Sequence, residues 1–214
     1  MAQAIGSKGQ MVIQQETTYK TDPATPDVQK IHFISSSLKS SRNMISSNTI
    51  QSSREASKPT LGNIDVAGAV MAELQAYFGL LLKASFGSVA TTGVGPYVHT
   101  FKVGASLPSF LIEKGFTDIA QYFKYVGCKC NKMSFGITAE GFHEVDFDFI
   151  GAKETASGAA FDATPTDNGK QSFDAFRIST IEEGGAVIAN VIEVSGITLD
   201  NNLDGSSYMI GGAG

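Results

Sequence analysis

Tryptophan is absent from this chain of 214 residues, and cysteine occurs only twice. Two cysteines cannot build a disulfide framework, so packed side chains must hold the fold. Arginine is almost as scarce, with Arg42, Arg54 and Arg177 the only three. A chain that grips DNA carries a basic stripe with several arginines, so the composition argues against DNA binding while leaving DNA passage open. No apolar run approaches the roughly eighteen residues of a membrane span. The start, Met1-Ala2-Gln3-Ala4-Ile5-Gly6, has neither the basic nor the apolar part of a secretion signal, which predicts folding in a reducing cytoplasm with both cysteines as thiols. Missing too are Gly-x-Ser-x-Gly, a cysteine-nucleophile signature and Gly-x-x-x-x-Gly-Lys-Ser/Thr. The expectation is a protein without catalytic residues, cofactor or membrane partner.

What is present is a hydrophobic content of 42 % and 23 glycines, enough apolar material for one large or two small domains with real cores. Charge is unevenly spread. Residues 1–139 hold 13 Lys+Arg and 8 Asp+Glu, a net +5, whereas residues 140–214 hold 3 and 13, a net −10, which together give the overall −5. An acidic wall suits a conduit for a polyanion, because attraction at many phosphates would act as a brake.

Secondary-structure signals are mainly of the two-residue kind. From Gly62 to Gly87 an alternating strand (Ile64, Val66, Val70) gives way to helical spacing in Met71, Leu74, Tyr77, Phe78, Leu81 and Leu82, and Gly87 falls where a left-handed C′ residue is wanted. This predicts a helix over 71–86 packed on a sheet, its apolar face serving the core ahead of a membrane or a partner groove. Glu16-Thr17-Thr18-Tyr19, Ser52-Ser53-Arg54-Glu55, the 62–87 segment, Val98-His99-Thr100-Phe101, Leu107-Pro108-Ser109-Phe110-Leu111-Ile112-Glu113 and the Gly127 turn into Cys128 to Thr138 follow in an order that resembles the major tail tube proteins of long-tailed bacteriophages, over roughly residues 12–154. The resemblance implies a structural virion protein of the tail, assembled in the host cytoplasm. It implies a mainly β fold, a β-sandwich or barrel with one flanking α-helix, in hexameric rings that stack into a hollow conduit for DNA ejection. Partners would be further copies of itself, other tail proteins such as tape measure, tail terminator and baseplate components, and double-stranded DNA in transit.

Along the chain, residues 1–27 read as an N-terminal arm with one short strand at Met11 to Gln15, and residues 28–154 as the β core. Within the core, 35–60 reads as a stacking loop, with a polar hairpin around Lys39 to Ser47. Thr117 to Val126 is read as helix or turn, with strand the alternative, since Ile119, Tyr122, Phe123 and Val126 fit helical spacing. Phe110-Leu111-Ile112 reads as a strand buried on both faces. The clearest hairpin joins 128–139 to 141–151 at Glu140-Gly141. Residues 155–170 read as a flexible loop or linker, and 171–214 as a second hairpin segment turning at Glu183-Gly184-Gly185 and starting a C-terminal subdomain that the family commonly continues.

Glu144, Asp146 and Asp148 are the strongest chemical feature, because i, i+2, i+4 spacing on a strand lines up three carboxylates about 6–7 Å apart. They could be a glycosidase pair, part of a calcium site, or a solvated acidic face that in a ring would line the lumen. The solvated face is favoured, since like charges repel unless water screens them. Arg42 and Arg54 are the candidates for salt bridges between subunits. Cys128 and Cys130 point the same way on a strand and, with His143, could in principle bind zinc; buried thiols are favoured, because structural zinc uses four ligands and wider spacing. His99, on the face of Tyr97 and Phe101, is expected as a hydrogen-bonded core histidine. The competing reading from another class is a β-sandwich binding module, a carbohydrate- or calcium-dependent adhesin domain.

Overall fold

Alternation of apolar and polar side chains rules most of the chain, and strands follow it. The computed structural model describes residues 3–50, 55, 57–137, 139–169, 172–177, 180–191 and 194–205. In order these form β1 (Gly9–Gln15), β2 (Gln29–Lys30), β3 (Ser35–Ser36), β4 (Lys39–Ile45), β5 (Thr60–Glu73), α1 (Gly79–Phe86), β6 (Gly87–Thr92), β7 (Val98–Val103), β8 (Phe110–Phe116), β9 (Gln121–Ile137), β10 (Glu144–Gly151), β11 (Lys153–Ser157), β12 (Glu182–Glu183), β13 (Ala186–Val187) and β14 (Val194–Asp200). The fold is mainly β with one α-helix among the described residues.

One long strand organises it. The 17 residues of β9 are too many for one flat sheet face, and the strand divides its partners near Gly127. Its first half lies between β8 and β11, and beyond β8 come β1 and β2; its second half lies between β10 and β14, and beyond β10 comes β5, edged by β3 and β4. All these pairings are antiparallel. The two halves curl toward each other over one core, built from Met11 and Ile13 of β1, Phe110 and Ile112 of β8, Val66 and Val70 of β5, Phe147 and Phe149 of β10, and both cysteines of β9. Phe78, at the head of the helix, meets Phe147 edge-on with ring centroids 6.1 Å apart, the arrangement that the ring quadrupoles favour.

The helix is short because both ends are dictated locally. Gly87 caps it in the left-handed region (φ 90°) and returns its N–H to Lys83 O. A Cβ there would lie 2.8 Å from Ser106 O, so no larger residue fits. From Gly87 the chain turns straight into the β6–β7 hairpin, which projects with Thr91 to Thr100 exposed and leans back on the helix through Phe101 against Phe86.

A bulge ties the end of the described chain to this frame. Asp148 pairs with Lys132 but Phe149 with Cys130, so Asn131 is the extra residue. Its carbonyl accepts the Asn201 N–H at 2.8 Å, and its side-chain Oδ1 accepts the Leu203 N–H at 2.7 Å. Asn201 Nδ2 in turn donates to Ser85 O at 2.9 Å and Cys130 O at 3.0 Å, linking helix, bulge and the segment after β14.

Several expectations need correction. The segment 1–27 is no free arm: β1 is an inner strand between β2 and β8, with Met11, Val12 and Ile13 all buried, because both faces of that sheet are covered. Met11 and Ile13 face the core, while Val12, Leu111 and Glu113 face segments 16–28 and 158–167. Glu16 holds the first of these segments, accepting the Gly127 N–H at 2.7 Å and the Lys20 N–H at 3.1 Å. Residues 155–170 are likewise no loose linker. They begin in β11, and the Phe161 N–H then donates to both Glu113 oxygens (3.2 and 3.0 Å), while Thr166 exchanges backbone bonds with Val28 and Lys30. The helix starts at Gly79, eight residues later than Met71, since β5 continues to Glu73 where β10 still offers a partner. Of the segment 35–60, residues 35–36 and 39–45 are strand, and β5 begins at Thr60. Thr117 to Ala120 is a turn and strand β9 follows, pairing on both sides overriding the helical spacing. The turn at Gly184-Gly185 exists, but it joins only the two-residue strands β12 and β13, and β14 instead extends the main sheet beside β9.

Candidate functional site

Side chains directly opposite one another in an antiparallel pair share a face, so the register assembles the site. On β10, Val145, Phe147 and Phe149 are buried in the core, which turns Glu144, Asp146 and Asp148 outward as their spacing requires. On one side Glu144 pairs with Glu73, Asp146 with Met71 and Asp148 with Ala69 of β5. On the other, Asp146 pairs with Ser134 and Asp148 with Lys132 of β9, which pair in turn with Thr198 and Asp200 of β14. Alternation along β5 adds Asp65 and Ala67, opposite Ser41 and Lys39 of β4. One continuous face therefore carries Asp65, Glu73, Glu144, Asp146, Asp148 and Asp200 against Lys39 and Lys132, with Met71 and otherwise small or hydroxyl side chains between them.

Asp65, Glu73 and Asp200 were not foreseen. Asp65 could have been found, because it alternates with Ile64 and Val66; Glu73 was lost to the expected helix, and Asp200 depends on a pairing with Lys132 across nearly seventy residues of chain. Electrostatics vary along β10. Burial first, then the neighbouring Asp148, push the Asp146 carboxyl above its usual value, with Lys132 opposing them. Its Oδ1 is buried without a hydrogen-bond partner among the described residues. Beside it lies a shallow depression of about 270 Å³ bordered by Met71, Ser134, Glu144 and Gly196.

Arg42 is exposed on β4 and pairs with Ile64, which places it on the opposite face from Asp65. Arg54 lies outside the described residues. Cys128 and Cys130 are buried free thiols. Burial raises both, Cys130 to about 11, and its Sγ lies 3.2 Å from Ser85 Oγ. His143 is buried with neither ring nitrogen hydrogen-bonded among the described residues. No group of three or more His, Cys, Asp or Glu among those residues is arranged to hold a metal. His99 is hydrogen-bonded, its Nδ1 2.9 Å from Thr91 Oγ1, but it is exposed on the projecting hairpin; the expected core position is corrected, since nothing packs over β7 there. Among the described residues no helix is long and apolar enough to cross a membrane.

A family model described as phage tail tube protein matches residues 6–214. No curated protein matches the chain in sequence. Among solved structures, a chain of the anti-feeding prophage (AFP) baseplate, six-fold symmetrised, superposes with a TM-score of 0.51 at 6 % identity, covering 74 % of this chain and 97 % of that one. A chain of the SPP1 tail tube gives 0.47 at 11 % identity over 86 % of this chain and 99 % of that one. A chain of the sheath-tube complex of PVC, an extracellular contractile injection system, in its extended state gives 0.45 at 9 % identity over 69 % and 87 %. The AFP likeness shows a shared fold, and the family match spans nearly the whole sequence; the chain belongs to the phage tail tube protein family, as a structural component of the virion tail.

Proposed function

We propose that this chain assembles into six-membered rings, that the rings stack into a tube, and that the face formed by β4, β5, β10, β9 and β14 is the wall along which DNA passes during ejection. The observation that carries this reading is the face itself. A five-strand surface with small side chains, six carboxylates and two lysines has a net charge of −4 per copy. On such a wall each lysine is outnumbered three to one by carboxylates, so phosphates find little to hold them, and water between two like-charged surfaces keeps the passage lubricated. β4 and β14 stand at the two edges of this surface, so side-by-side copies can join β4 of one to β14 of the next and close the sheet into a barrel without free edges. Six copies follow the six-fold symmetry of the AFP baseplate. Arg42, on the opposite face, and Arg54 serve contacts between subunits. Tape measure, tail terminator and baseplate components meet the tube, which is built in the host cytoplasm without cofactor or catalysis.

The test is negative-stain electron microscopy of purified chain across concentration, with light-scattering mass, followed by labelling of an Asp148→Cys variant. Hollow tubes are expected, in which the introduced thiol reacts with a small maleimide but not with one carried on a polymer wider than the bore. Equal reaction with both reagents in intact tubes would remove this face from the lumen.

A further inference from the structure

Lys124 is held from three directions on the outer face of β8 and β9. Directly opposite it across the sheet stands Glu113, only 2 % exposed, and side chains in that register share a face. The Phe161 ring centroid lies 5.1 Å from Lys124 Nζ, while the Phe161 N–H donates to both Glu113 oxygens. From the other covering segment comes Asp22, whose Oδ2 accepts from Lys124 Nζ. The chain reaches Asp22 through a tight turn: Lys20 adopts a left-handed φ of 63°, its N–H goes to Glu16 Oε2, and the Thr21 N–H goes to Thr18 O. Glu16 is itself fixed on Gly127 of β9, and Lys129 Nζ lies 5.4 Å from the Tyr19 ring centroid. Asp22 is thereby brought to Lys124 by anchors other than the ion pair itself.

An amine, a carboxyl in contact with it and a second, buried carboxyl are the parts of an amide-forming reaction. We infer that Lys124 Nζ and Asp22 Cγ condense without an enzyme into an isopeptide bond, with Glu113 carrying the proton. The ion pair is the state before the bond forms. Within it one ammonium proton passes to the Asp22 carboxylate, leaving a neutral amine against a neutral carboxyl. The Nζ lone pair attacks Cγ, Glu113 takes a second proton from the nitrogen and delivers it to the hydroxyl, and the Cγ–O bond breaks to release water. One N–C bond is made and one C–O bond lost, nothing is oxidised or reduced, and Glu113 ends as it began. Burial keeps the Glu113 carboxyl above its usual range, against the pull of the Phe161 N–H and Lys124, which suits it to take a proton and hand it on. Fixed placement of amine and carboxyl replaces the encounter of two free reactants. The Lys124 side chain is 18 % exposed and that of Asp22 49 %, so the amine sits largely out of water while the departing water has an open way out. The usual competitor for an aspartate is the backbone nitrogen that follows it, which closes a succinimide; Pro23 follows Asp22 and has no N–H to give. The product ties the segment before β2 to β9 across a separation of 102 residues. It lies within one copy and does not rest on the ring reading above.

The test is the intact mass of the purified full chain, denatured before measurement, with a tryptic map. Wild type is expected about 18 Da lighter than its sequence requires, the mass of one water. Trypsin should release residues 21–30 joined to residues 115–129, because a bonded Lys124 is not cleaved. Asp22→Ala and Lys124→Arg should show full mass and no joined peptide. In freshly made chain, Glu113→Ala should lower the linked fraction at least about tenfold, and Glu113→Asp should restore part of it, a recovery that a packing role alone would not give. Full mass in wild type would overturn the inference whatever the variants do, so a variant that fails to fold cannot shelter it. A lost water that the map traces to a succinimide at Asp204-Gly205 would overturn it too. An unchanged linked fraction in Glu113→Ala would remove Glu113 from the step.

Discussion

Gly68 sits where β3 and β4 change places along the edge of β5, and alanine there should cost more than any other single methyl in the chain. Its φ of 150° lies in a region side chains rarely adopt, and a Cβ would stand 2.5 Å from both Leu38 Cα and Ser37 O. These are backbone atoms, held by the Ser37 N–H bond to Ala69 O at 2.9 Å and by the complete burial of Leu38, so they cannot swing aside as a flexible side chain would. Backbone strain contributes about 1–3 kcal/mol and overpacking about the same again, giving roughly 2–6 kcal/mol for Gly68→Ala. Against a net stability of about 5–15 kcal/mol this is severe. At about 2–4 °C per kcal/mol for a chain of this size, the thermal midpoint should fall by roughly 4–24 °C. Gly79→Ala is the control: no atom lies within 4 Å of its added Cβ, and it begins a helix, so it should be neutral or stabilising by up to about 1 kcal/mol. Differential scanning calorimetry of both variants decides the matter. A Gly68→Ala midpoint within about 2 °C of wild type would refute the claim that the edge crossing is held rigidly against β5.

Glu113 offers a pH test. Burial, aided by Asp162, raises its carboxyl above the usual range, although the Phe161 N–H and Lys124 pull the other way. The folded state therefore holds this proton more tightly than the unfolded one, and stability is lost as pH rises through the raised value. Glu113→Gln keeps an oxygen for Phe161 without the charge, so its midpoint should gain on wild type between pH 4 and pH 7; a gap that narrows over that range would contradict the sign. Asn201→Ala removes the bonds to Ser85 O and Cys130 O and should cost about 1–2 kcal/mol, with faster proteolysis after β14; unchanged cleavage would mean that those bonds do not hold the segment. With the Cys130 thiol raised to about 11 and buried, iodoacetamide at pH 8 should modify the native chain at least about a hundredfold more slowly than the denatured one, and equal rates would show that the core opens readily.

Where a strand has one wet and one dry face, its pattern was legible from sequence. β10 is the clear case: alternation of Val145, Phe147 and Phe149 with three acids gave both its faces correctly, and the turn before it at Glu140-Gly141 followed. Legibility failed where burial does not alternate. In β1, three successive apolar residues are buried because polar segments distant in sequence lie over the outer face, and nothing local to Met11-Val12-Ile13 announces that cover. In β9, Tyr122, Phe123 and Val126 fit a helix as well as a strand, and only the two flanking strands decide between them. Residues 155–169 look like a linker because their anchors lie far off in sequence: Val28, Lys30 and His32 on one side, and the buried carboxylate of Glu113, more than forty residues away, on the other.

The same distinction explains the acidic face. Three of its carboxylates are local to β10 and were visible; the other three come from β5 and β14, and the lysine that moderates them comes by register from β9. Lys132 stands between Asp148 and Asp200, in register with both, which compensates that stretch in part. At the other end of β10, Glu144 directly faces Glu73 across the sheet. Two carboxylates directly opposite in a sheet destabilise it, and the fold tolerates the pair because Ser172 Oγ donates to Glu73 Oε2 at 2.6 Å and Glu144 is open to water. A chain shaped only for stability would replace one of them. Their presence on the face shared by β5 and β10 accords with the function proposed for that face, in which charge serves passage ahead of stability.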